Sequence, residues 1–300
     1  MEFKFVWNTT SFDEATDESI FSNLQEALEG LIRIPRANEI ASLYFDGSTP
    51  LMYRKISPSY FVSDFITNLQ NCNLGELAQV FLELNDKADA INSLPDEVIN
   101  EMSNTSYFFT SMGYSGSIDA LALVSEIDGI LFSIRSSETW QNHEIEFSTY
   151  PPPEFDQKPS ITFSVCDVKT GDLVAAALTK VDEACSLEDL LPNCIFTDAF
   201  LDWSKALTTE NTAILRQKLN LAYQRSFEGG KPLFDTLTGA DGMREVRMKA
   251  HAGGAIRVLF GALGGGRVFL LRGFIKKSDN EGYKTNIAGA LKDWNQSNSH

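Results

Sequence analysis

Apolar and polar side chains alternate most regularly near the C-terminal end of the chain, in three consecutive runs over residues 243–277. The runs are separated by Ala252-Gly253-Gly254 and by Gly264-Gly265-Gly266, as is typical of turns between antiparallel strands. This pattern predicts a three-stranded antiparallel meander. Its last run, Arg267–Lys277, is the most apolar, so we expect it to form the central strand.

Alternation along a strand assigns the residues of these runs to the two faces of a sheet. In the first run one face carries Arg244, Val246, Met248 and Ala250, and the other carries Glu245, Arg247, Lys249 and His251. In the second run Ile256, Val258 and Phe260 share one face of the sheet, and Arg257 lies on the other face. Ten Lys or Arg and three Asp or Glu lie between Arg244 and Lys292. We infer a cationic sheet face that suits the binding of phosphates.

The sequence around the meander predicts a small α+β domain. A strand at Cys194–Phe196 is followed by helices at Asp198–Leu207 and Thr209–Phe227, and a last helix spans Gly282–Asn295. The predicted order is β-α-α-β-β-β-α, a small antiparallel sheet packed on helices. Glu228-Gly229-Gly230 is expected to end the second helix, because glycine tolerates the left-handed C-cap conformation.

The first part of the chain predicts a separate mixed α+β domain. The strands are expected at Glu2–Thr9, Ile40–Asp46, Gly129–Arg135, His143–Tyr150 and Ser160–Val168. The helices are expected from about Glu18, from Ser57-Pro58, and at Leu74–Ile91, Ser117–Ile127 and Ser186–Leu191. Lys169-Thr170-Gly171 predicts a turn, and Pro151-Pro152-Pro153 marks a candidate hinge near residue 151. No motif in this part points to a particular chemistry.

Charge divides the chain into the same two parts. Residues 1–193 hold 10 Lys or Arg and 31 Asp or Glu, a net charge of −21, whereas residues 194–300 hold 15 and 10, a net charge of +5. The shift predicts two domains, residues 1–192 and 193–300. Because nucleic acid repels an acidic surface, we expect only the C-terminal domain to approach it.

Composition favours a cytoplasmic protein. No apolar run approaches the ~20 residues that span a bilayer, and the acidic N-terminus lacks the pattern of a signal peptide. Cys72, Cys166, Cys185 and Cys194 are scattered, with no CxxC spacing, which indicates reduced thiols rather than a disulfide framework or a zinc site. We expect no metal, no cofactor and no membrane partner.

The C-terminal third resembles the RelE/ParE toxin superfamily, and within it the HigB-like, phage-derived branch of type II toxin–antitoxin systems. The resemblance covers residues 193–296. It is carried by REVR (244–247), IRVLF (256–260), VFLLRGFIKKS (268–278), IFTDAFLDWSKAL (195–207) and TAILRQKLNLAYQRSFEGGKPL (212–233). The sequence departs from the family where Arg272 replaces the usual histidine and where no proline opens the last helix.

The resemblance implies a metal-independent endoribonuclease, since members of the RelE branch cleave mRNA on the ribosome. The ribose 2′-hydroxyl attacks the adjacent phosphate, and basic side chains hold the RNA and neutralise the developing charge. The motifs place the catalytic role on Arg247, Arg257, Lys276 and Lys277. They place further RNA contacts on Lys249, His251, Arg272 and Tyr283.

Each assignment has a structural alternative that the sequence leaves open. Arg247 and Arg257 are equally able to pair with Glu245 or with a neighbouring strand. Lys276-Lys277 also fits a solvated strand end, and His251 lies beside a turn. Trp294 fits packing better than base stacking.

Three functions remain open at this point. The first is an mRNA-cleaving toxin in which the acidic N-terminal domain acts as a regulatory or sensor domain. The second is a non-enzymatic interaction protein with an inactive toxin-like fold, whose N-terminal domain binds a phage or host protein. The third is a ParE-like poison of DNA gyrase. The toxin hypothesis also predicts a helix-turn-helix antitoxin as a partner.

Overall fold

The computed structural model describes residues 2–13, 15–35, 39–112, 117–150, 159–183, 186–229, 233–237, 239–240, 242–251, 253–264, 267–278 and 282–297. The triproline at 151–153 and the turn residues Ala252, Gly230, Gly265 and Gly266 lie outside these ranges. Chain contacts divide the protein into two units, with the described residues up to Ala177 in the first and those from Leu178 in the second.

The first unit is a mixed α/β unit. Its strands are β1 (Glu2–Trp7), β2 (Ile40–Tyr44), β3 (Lys55–Ser57), β4 (Tyr60–Phe61), β5 (Asn85–Lys87), β6 (Ser106–Phe109), β7 (Ile130–Phe132), β8 (Glu144–Tyr150) and β9 (Ser160–Val165). Its helices are α1 (Thr9–Asp13), α2 (Asp17–Leu31), α3 (Val62–Asn71), α4 (Gly75–Glu83), α5 (Asp96–Ser103), α6 (Asp119–Ile127) and α7 (Val168–Glu183). Helix α7 continues past Ala177 into the second unit.

Seven of these strands form one sheet in the order β5-β2-β1-β7-β9-β8-β6. The first five of that order are parallel to one another. Strand β8 is antiparallel to β9, and β6 is antiparallel to β8. Phe5, Val6 and Trp7 are all buried, because a parallel strand inside such a sheet is covered on both faces. The second half of β1 therefore does not alternate between exposed and buried side chains.

The predicted single helix over Leu74–Ile91 is wrong. Helix α4 ends at Glu83, and the next residues, Asn85–Lys87, pair in parallel with β2. All three residues of this edge strand are exposed. Since an exposed edge strand needs no apolar side chains, its sequence carries no strand signal.

The predicted turn at Lys169-Thr170-Gly171 is also wrong, because these residues form the start of α7. The hydroxyl of Thr170 accepts hydrogen bonds from the backbone N–H groups of Cys166 and Asp167. A Cβ at Gly171 would collide with the backbone carbonyl of Gly30 in α2. Glycine here permits close helix packing rather than a turn.

The second unit has four helices and five strands among its described residues. They are α8 (Leu187–Leu190), β10 (Cys194–Phe196), α9 (Asp198–Lys205), α10 (Thr209–Gln224), β11 (Phe234–Thr236), β12 (Arg244–Lys249), β13 (Ala255–Gly264), β14 (Arg267–Lys276) and α11 (Tyr283–Ser297). From β10 onwards the predicted order occurs, with β11 as an additional short strand. Leu187 and Leu191, which precede residue 193, are buried in the core of this unit.

The sheet of the second unit has the order β10-β14-β13-β12-β11. Strands β12 to β14 form the predicted antiparallel meander, and β11 pairs antiparallel with β12. Strand β10 pairs in parallel with β14, so the sheet is mixed. The predicted central position of the last run is wrong, since β13 is the middle strand. The apolar character of β14 follows from its interior place between β10 and β13.

The end of α10 differs from the predicted glycine cap. The helix ends at Gln224, and the left-handed conformation is taken by Ser226 (φ 53°) and Phe227 (φ 56°). Such a conformation costs a non-glycine residue ~1–2 kcal/mol. The burial of Phe227 against Phe260, with ring centroids 5.2 Å apart, offsets that cost.

Helices cover both faces of this sheet. On one face α9 and α10 pack on a core that includes Phe200, Leu215, Leu219, Val246, Val258 and Leu270. On the other face α11 packs on a smaller core that includes Leu259, Phe269, Leu271, Phe274 and Ala290. A Cβ at Gly261 would collide with the ring of Trp294, so Trp294 is a packing residue of the α11 face.

Candidate functional site

A β-bulge in β14 decides which of its side chains face α11. Leu259 pairs with Arg272, whereas the next residue of β13, Phe260, pairs with Leu270. Leu271 is therefore an extra residue in the ladder. Because side chains alternate along a strand, one extra residue exchanges the two faces beyond it.

The exchange brings the end of β14 onto the face of Arg257. Strict alternation from Leu270 would place Phe274 and Lys276 on the side of α9 and α10. Instead, Phe274 packs in the core beneath α11, and the Nζ atom of Lys276 lies 5.5 Å from the ring centroid of Tyr283 in α11. The bulge thus unites the cations of three strands on one face.

A buried carboxylate, Glu245, lies at the centre of these cations and is 3% exposed. Its Oε1 atom accepts a hydrogen bond from the Tyr283 hydroxyl at 3.0 Å. The same oxygen lies 3.3 Å from Nε of Arg257 and 3.8 Å from Nε of Arg247. Its Oε2 atom is buried and has no hydrogen-bond partner among the described residues. We name Glu245, Arg247, Arg257, Lys276 and Tyr283 the Glu245 cluster.

Arg257 is the second buried charge of the cluster, at 5% exposure. Its Nε donates to the hydroxyl oxygen of Tyr283 at 3.2 Å, and its Nη1 donates to the backbone carbonyl of Ile256 at 3.0 Å. Arg247 stands directly across from Arg257 in the strand pair. Like charges opposite each other repel, and the carboxylate of Glu245 offsets that repulsion.

The outer members of the cluster are more exposed. The side chain of Arg247 is 23% exposed, and its Nη1 lies 3.6 Å from Oδ2 of Asp235 in β11. Lys276 is partly buried at the end of β14. A ligand that approaches this face would therefore meet Arg247 and Lys276 before it reaches the buried Arg257.

The electrostatics of the cluster shift two pKa values. Burial raises the pKa of the Glu245 carboxyl, while the charge of Arg257 and the hydrogen bond from Tyr283 lower it less strongly. Burial also raises the pKa of the Tyr283 hydroxyl, and the charge of Glu245 raises it further. Shifted titratable groups of this kind concentrate at functional sites.

The structure brings together Arg247, Arg257, Lys276 and Tyr283 of the predicted site residues. Arg272 lies on the same face, but its Nη2 is 2.6 Å from Oδ2 of Asp293 in α11. Lys277 is exposed beyond the end of β14, and Lys249 is exposed at the end of β12.

The predicted position of His251 on the face of Arg247 is wrong. Strand β12 ends at Lys249, so the alternation does not extend to His251. The backbone N–H of His251 donates to Oδ1 of Asn211 in α10 at 2.8 Å. His251 therefore lies against α10, on the opposite face of the sheet.

Two acidic residues of the site carry no role in the sequence-based assignment. Glu245 enters there only as a structural partner of the arginines, and Asp235 is absent. The signal for Glu245 was a carboxylate on the cationic face, between Arg244 and Arg247, where bases otherwise dominate. Asp235 gave no signal, because its approach to Arg247 depends on the pairing of β11 with β12.

Neither a metal site nor a reactive cysteine has support among the described residues. His, Cys, Asp and Glu side chains form no group of three or more there that could hold a metal ion. Burial raises the pKa of the Cys166 thiol to about 11 and that of Cys194 to about 12, which disfavours a reactive thiolate. Cys185 lies outside the described residues. No described helix has the length and apolar character to cross a membrane.

Comparison with known proteins places the site in a matched segment. A family model described as "Phage derived protein Gp49-like (DUF891)" matches residues 202–295. No curated protein matches the chain. The matched segment runs from α9 into α11 and contains all five residues of the Glu245 cluster. Over this segment the chain is similar to Gp49-like phage-derived proteins, a family tied to RelE and toxin-like proteins.

Proposed function

We propose that this protein is a RelE/HigB-type toxin that cleaves mRNA on the ribosome and so inhibits translation in the cytoplasm. One observation carries the proposal: Arg247, Arg257, Lys276 and Tyr283 converge on one sheet face. All four lie in the segment similar to toxin-like proteins. The elements from β10 to α11 support the proposal, because apart from the additional strand β11 they follow the order that the RelE resemblance implies.

The reaction would proceed through the RNA itself. The 2′-hydroxyl gives its proton to water and attacks the adjacent phosphorus, and the bond to the 5′-oxygen breaks. That oxygen takes a proton from water and leaves as a 5′-hydroxyl, and a 2′,3′-cyclic phosphate remains. The protein would hold the two nucleotides in line and neutralise the charge on the phosphorane. Arg247 and Lys276 are the accessible cations for the non-bridging oxygens, and Arg257 adds a fixed charge behind them. Preorganised donors of this kind are each worth ~10²–10³ in rate.

The acidic neighbours of Arg247 set a condition for binding. In the free protein this guanidinium lies 3.6 Å from Asp235 and 3.8 Å from Glu245. A phosphate that contacts Arg247 must share it with these carboxylates or displace Asp235, whose side chain is 38% exposed. Arg suits this exchange, because its planar guanidinium presents several donors at once.

The test is cleavage of a defined mRNA on purified ribosomes, mapped by primer extension. We expect Arg247→Ala and Lys276→Ala each to slow cutting by ~10²-fold or more. Lys205→Ala is the matched control, since Lys205 is exposed at the end of α9, on the other face of the sheet. Undiminished cutting by both site variants would contradict the assignment.

We also propose that the acidic N-terminal domain regulates the toxin, and the charge split of −21 against +5 supports this. An acidic domain can compete with RNA phosphates for basic groups. The fragment to compare with the full-length chain is 178–300 rather than 193–300, because the shorter one would lack the buried Leu187 and Leu191. We expect the fragment to inhibit growth and translation more strongly. Equal inhibition would exclude regulation by this domain.

A non-enzymatic interaction protein is the second candidate. The ion pairs that already hold Arg247 and Arg257 favour it, because they give both arginines a structural role. It predicts binding to a phage or host protein while mRNA stays intact. Gyrase poisoning predicts DNA damage with intact mRNA, so the same cells distinguish all three functions. A helix-turn-helix protein encoded next to this chain would favour an ordinary toxin–antitoxin pair.

A further inference from the structure

We infer that Glu245 is a positioning residue, whose buried carboxylate orients the Tyr283 hydroxyl and the Arg257 guanidinium for the RNA phosphate. This inference rests on the proposed function and adds a residue to its machinery. It concerns a side chain that would not itself touch the RNA, since Glu245 is 3% exposed.

The geometry places three donors around a single oxygen atom. Oε1 of Glu245 receives the Tyr283 hydroxyl at 3.0 Å, and the Nε atoms of Arg257 and Arg247 lie 3.3 Å and 3.8 Å away. Strands β12 and β13 and helix α11 thus meet at one carboxylate. The position of each donor depends on the same negative charge.

The hydrogen-bond directions follow from this arrangement. Tyr283 has one hydroxyl proton, and it is donated to Glu245. The hydroxyl oxygen is then free to accept from Nε of Arg257 at 3.2 Å. These two bonds fix the plane of the guanidinium and the direction of the phenol ring. That ring lies 5.5 Å from Nζ of Lys276, so the lysine is oriented through the same chain of contacts.

The stability of the fold does not explain why a carboxylate is buried at position 245. Apolar contacts already hold α11 on the sheet, including an edge-on contact of Phe274 with the Tyr283 ring at 5.1 Å. A buried ion pair is often no more stabilising than apolar residues of similar volume. Burial also raises the pKa of Glu245, so its ionised form is held at a cost. A costly charge amid the predicted catalytic groups fits a functional role.

The charge state of Glu245 should control the site. The charged and titratable groups that face it are Arg257, Arg247, Tyr283 and Asp235. Protonation of Glu245 would remove the charge that orders its donors. Because its pKa is raised, this loss should occur above the ordinary pH range of a glutamate. We expect the cleavage rate to fall on the acid side through that titration.

The experiment measures steady-state cleavage of ribosome-bound mRNA against pH. We expect Glu245→Gln to lower kcat by about 10- to 100-fold, as for a misplaced reacting group, to leave KM little changed and to remove the acid limb. Tyr283→Phe should lower kcat in the same range without changing a charge. The controls are Glu188→Gln, at an exposed glutamate of α8, and Tyr223→Phe, at a tyrosine of α10.

A second measurement does not depend on cleavage. Ultraviolet titration of the tyrosines, with Tyr283→Phe as the reference, follows the ionisation of Tyr283. Since the charge of Glu245 raises the pKa of that hydroxyl, Glu245→Gln should lower it. An unchanged titration would overturn the positioning role, even in a protein that cuts no RNA.

The outcomes separate the two claims. If the wild-type protein leaves mRNA intact, the proposed function is wrong. If it cuts mRNA and Glu245→Gln keeps the same kcat and pH profile, the positioning inference is wrong and the function stands. Should Glu245→Gln fail to fold, Glu245→Asp decides instead, because it keeps the charge but withdraws the carboxylate from its donors: a lowered kcat supports the inference and an unchanged kcat overturns it.

Discussion

Two buried polar networks link neighbouring strands in this protein, and they differ in charge. In the first unit, Nδ2 of Asn8 donates a hydrogen bond to Oγ of Ser133 at 2.9 Å. The Oγ atom of Ser133 lies 3.0 Å from Oγ of Ser164. All three residues are 0% exposed. The Glu245 cluster also links neighbouring strands, but it does so with buried charges. Neutral polar groups are buried at a lower electrostatic cost than charges, even though Oδ1 of Asn8 has no hydrogen-bond partner among the described residues.

The two networks also differ in how accessible their side chains are to a ligand. Asn8 and Ser133 follow the carboxyl ends of β1 and β7, between which the strand order reverses. Ligands of open α/β sheets bind at such an edge, yet here the polar side chains are closed off from solvent. In the Glu245 cluster, by contrast, Glu245 and Arg257 are buried and Arg247 is partly exposed. The neutral network is therefore closed to a ligand, whereas the charged cluster offers partly exposed groups and forms the proposed site.

The largest expected change in the free energy of unfolding comes from Arg257→Met. This substitution leaves Glu245 buried without the guanidinium that lies 3.3 Å from its Oε1 atom. Loss of one member of a buried ion pair costs ~3–5 kcal/mol, so the free energy of unfolding at neutral pH should fall by about that amount. The pKa of Glu245 should then rise further, which makes the loss smaller in acid. Denaturant unfolding at two pH values measures both. A loss that is the same at both pH values would contradict the pairing.

A smaller loss is expected from Asn8→Ala in the neutral network. The substitution removes the bond to Ser133 and leaves the two serines with each other. The loss of one such hydrogen bond costs ~0.5–1.5 kcal/mol, and the free energy of unfolding should fall by about that amount. The cost should be independent of pH, because none of the three groups titrates. A pH-dependent cost would show that the two networks are not different in kind.

The pH dependence of stability should also separate the networks through Glu245→Gln. A carboxyl with a raised pKa contributes stability below its unfolded value of 4.5, and that contribution is lost as pH rises through the folded pKa. Glutamine has no such titration. The variant should therefore gain stability relative to wild type as pH rises through this window, as measured by thermal or denaturant unfolding. A constant difference would mean that the pKa of Glu245 is not raised.

The smallest effect is expected from an exposed ion pair, which serves as a reference for both networks. Arg135 lies 3.3 Å from Glu26 and 3.5 Å from Asp167, and its side chain is 40% exposed. Such pairs contribute ~0–1 kcal/mol, so Arg135→Gln should change the free energy of unfolding by no more than that. Added salt should reduce the difference. A larger effect would show that exposure is a poor guide to these energies.

Much of the second unit could be predicted from residue patterns. Period-two alternation placed Arg247 and Arg257 on one face, and they are directly opposed across β12 and β13. Capping residues also located helix starts, since Thr208 caps α10 and Ser186 caps α8. Strand alternation and helix capping depend on residues a few positions apart, so they can be recognised from the sequence alone.

Other features depended on distant parts of the chain. The edge strand Asn85–Lys87 exists because β2 offers a partner, and Gly171 is a packing residue because Gly30 of α2 lies against it. Arg272 shares the cationic face, yet Asp293 of α11 pairs with it. Local sequence cannot distinguish these roles, because the deciding neighbour is remote.

The sequence by itself determined the strand runs, the cationic face of β12 and β13, and the concentration of positive charge in the C-terminal part. Only the tertiary structure decided that Lys276 joins that face, because a one-residue bulge exchanges the faces of β14. It also decided that Tyr283 closes the cluster and that Glu245 is buried at its centre. Alternation is a local property of the backbone, whereas burial and charge pairing arise only when separate elements pack together.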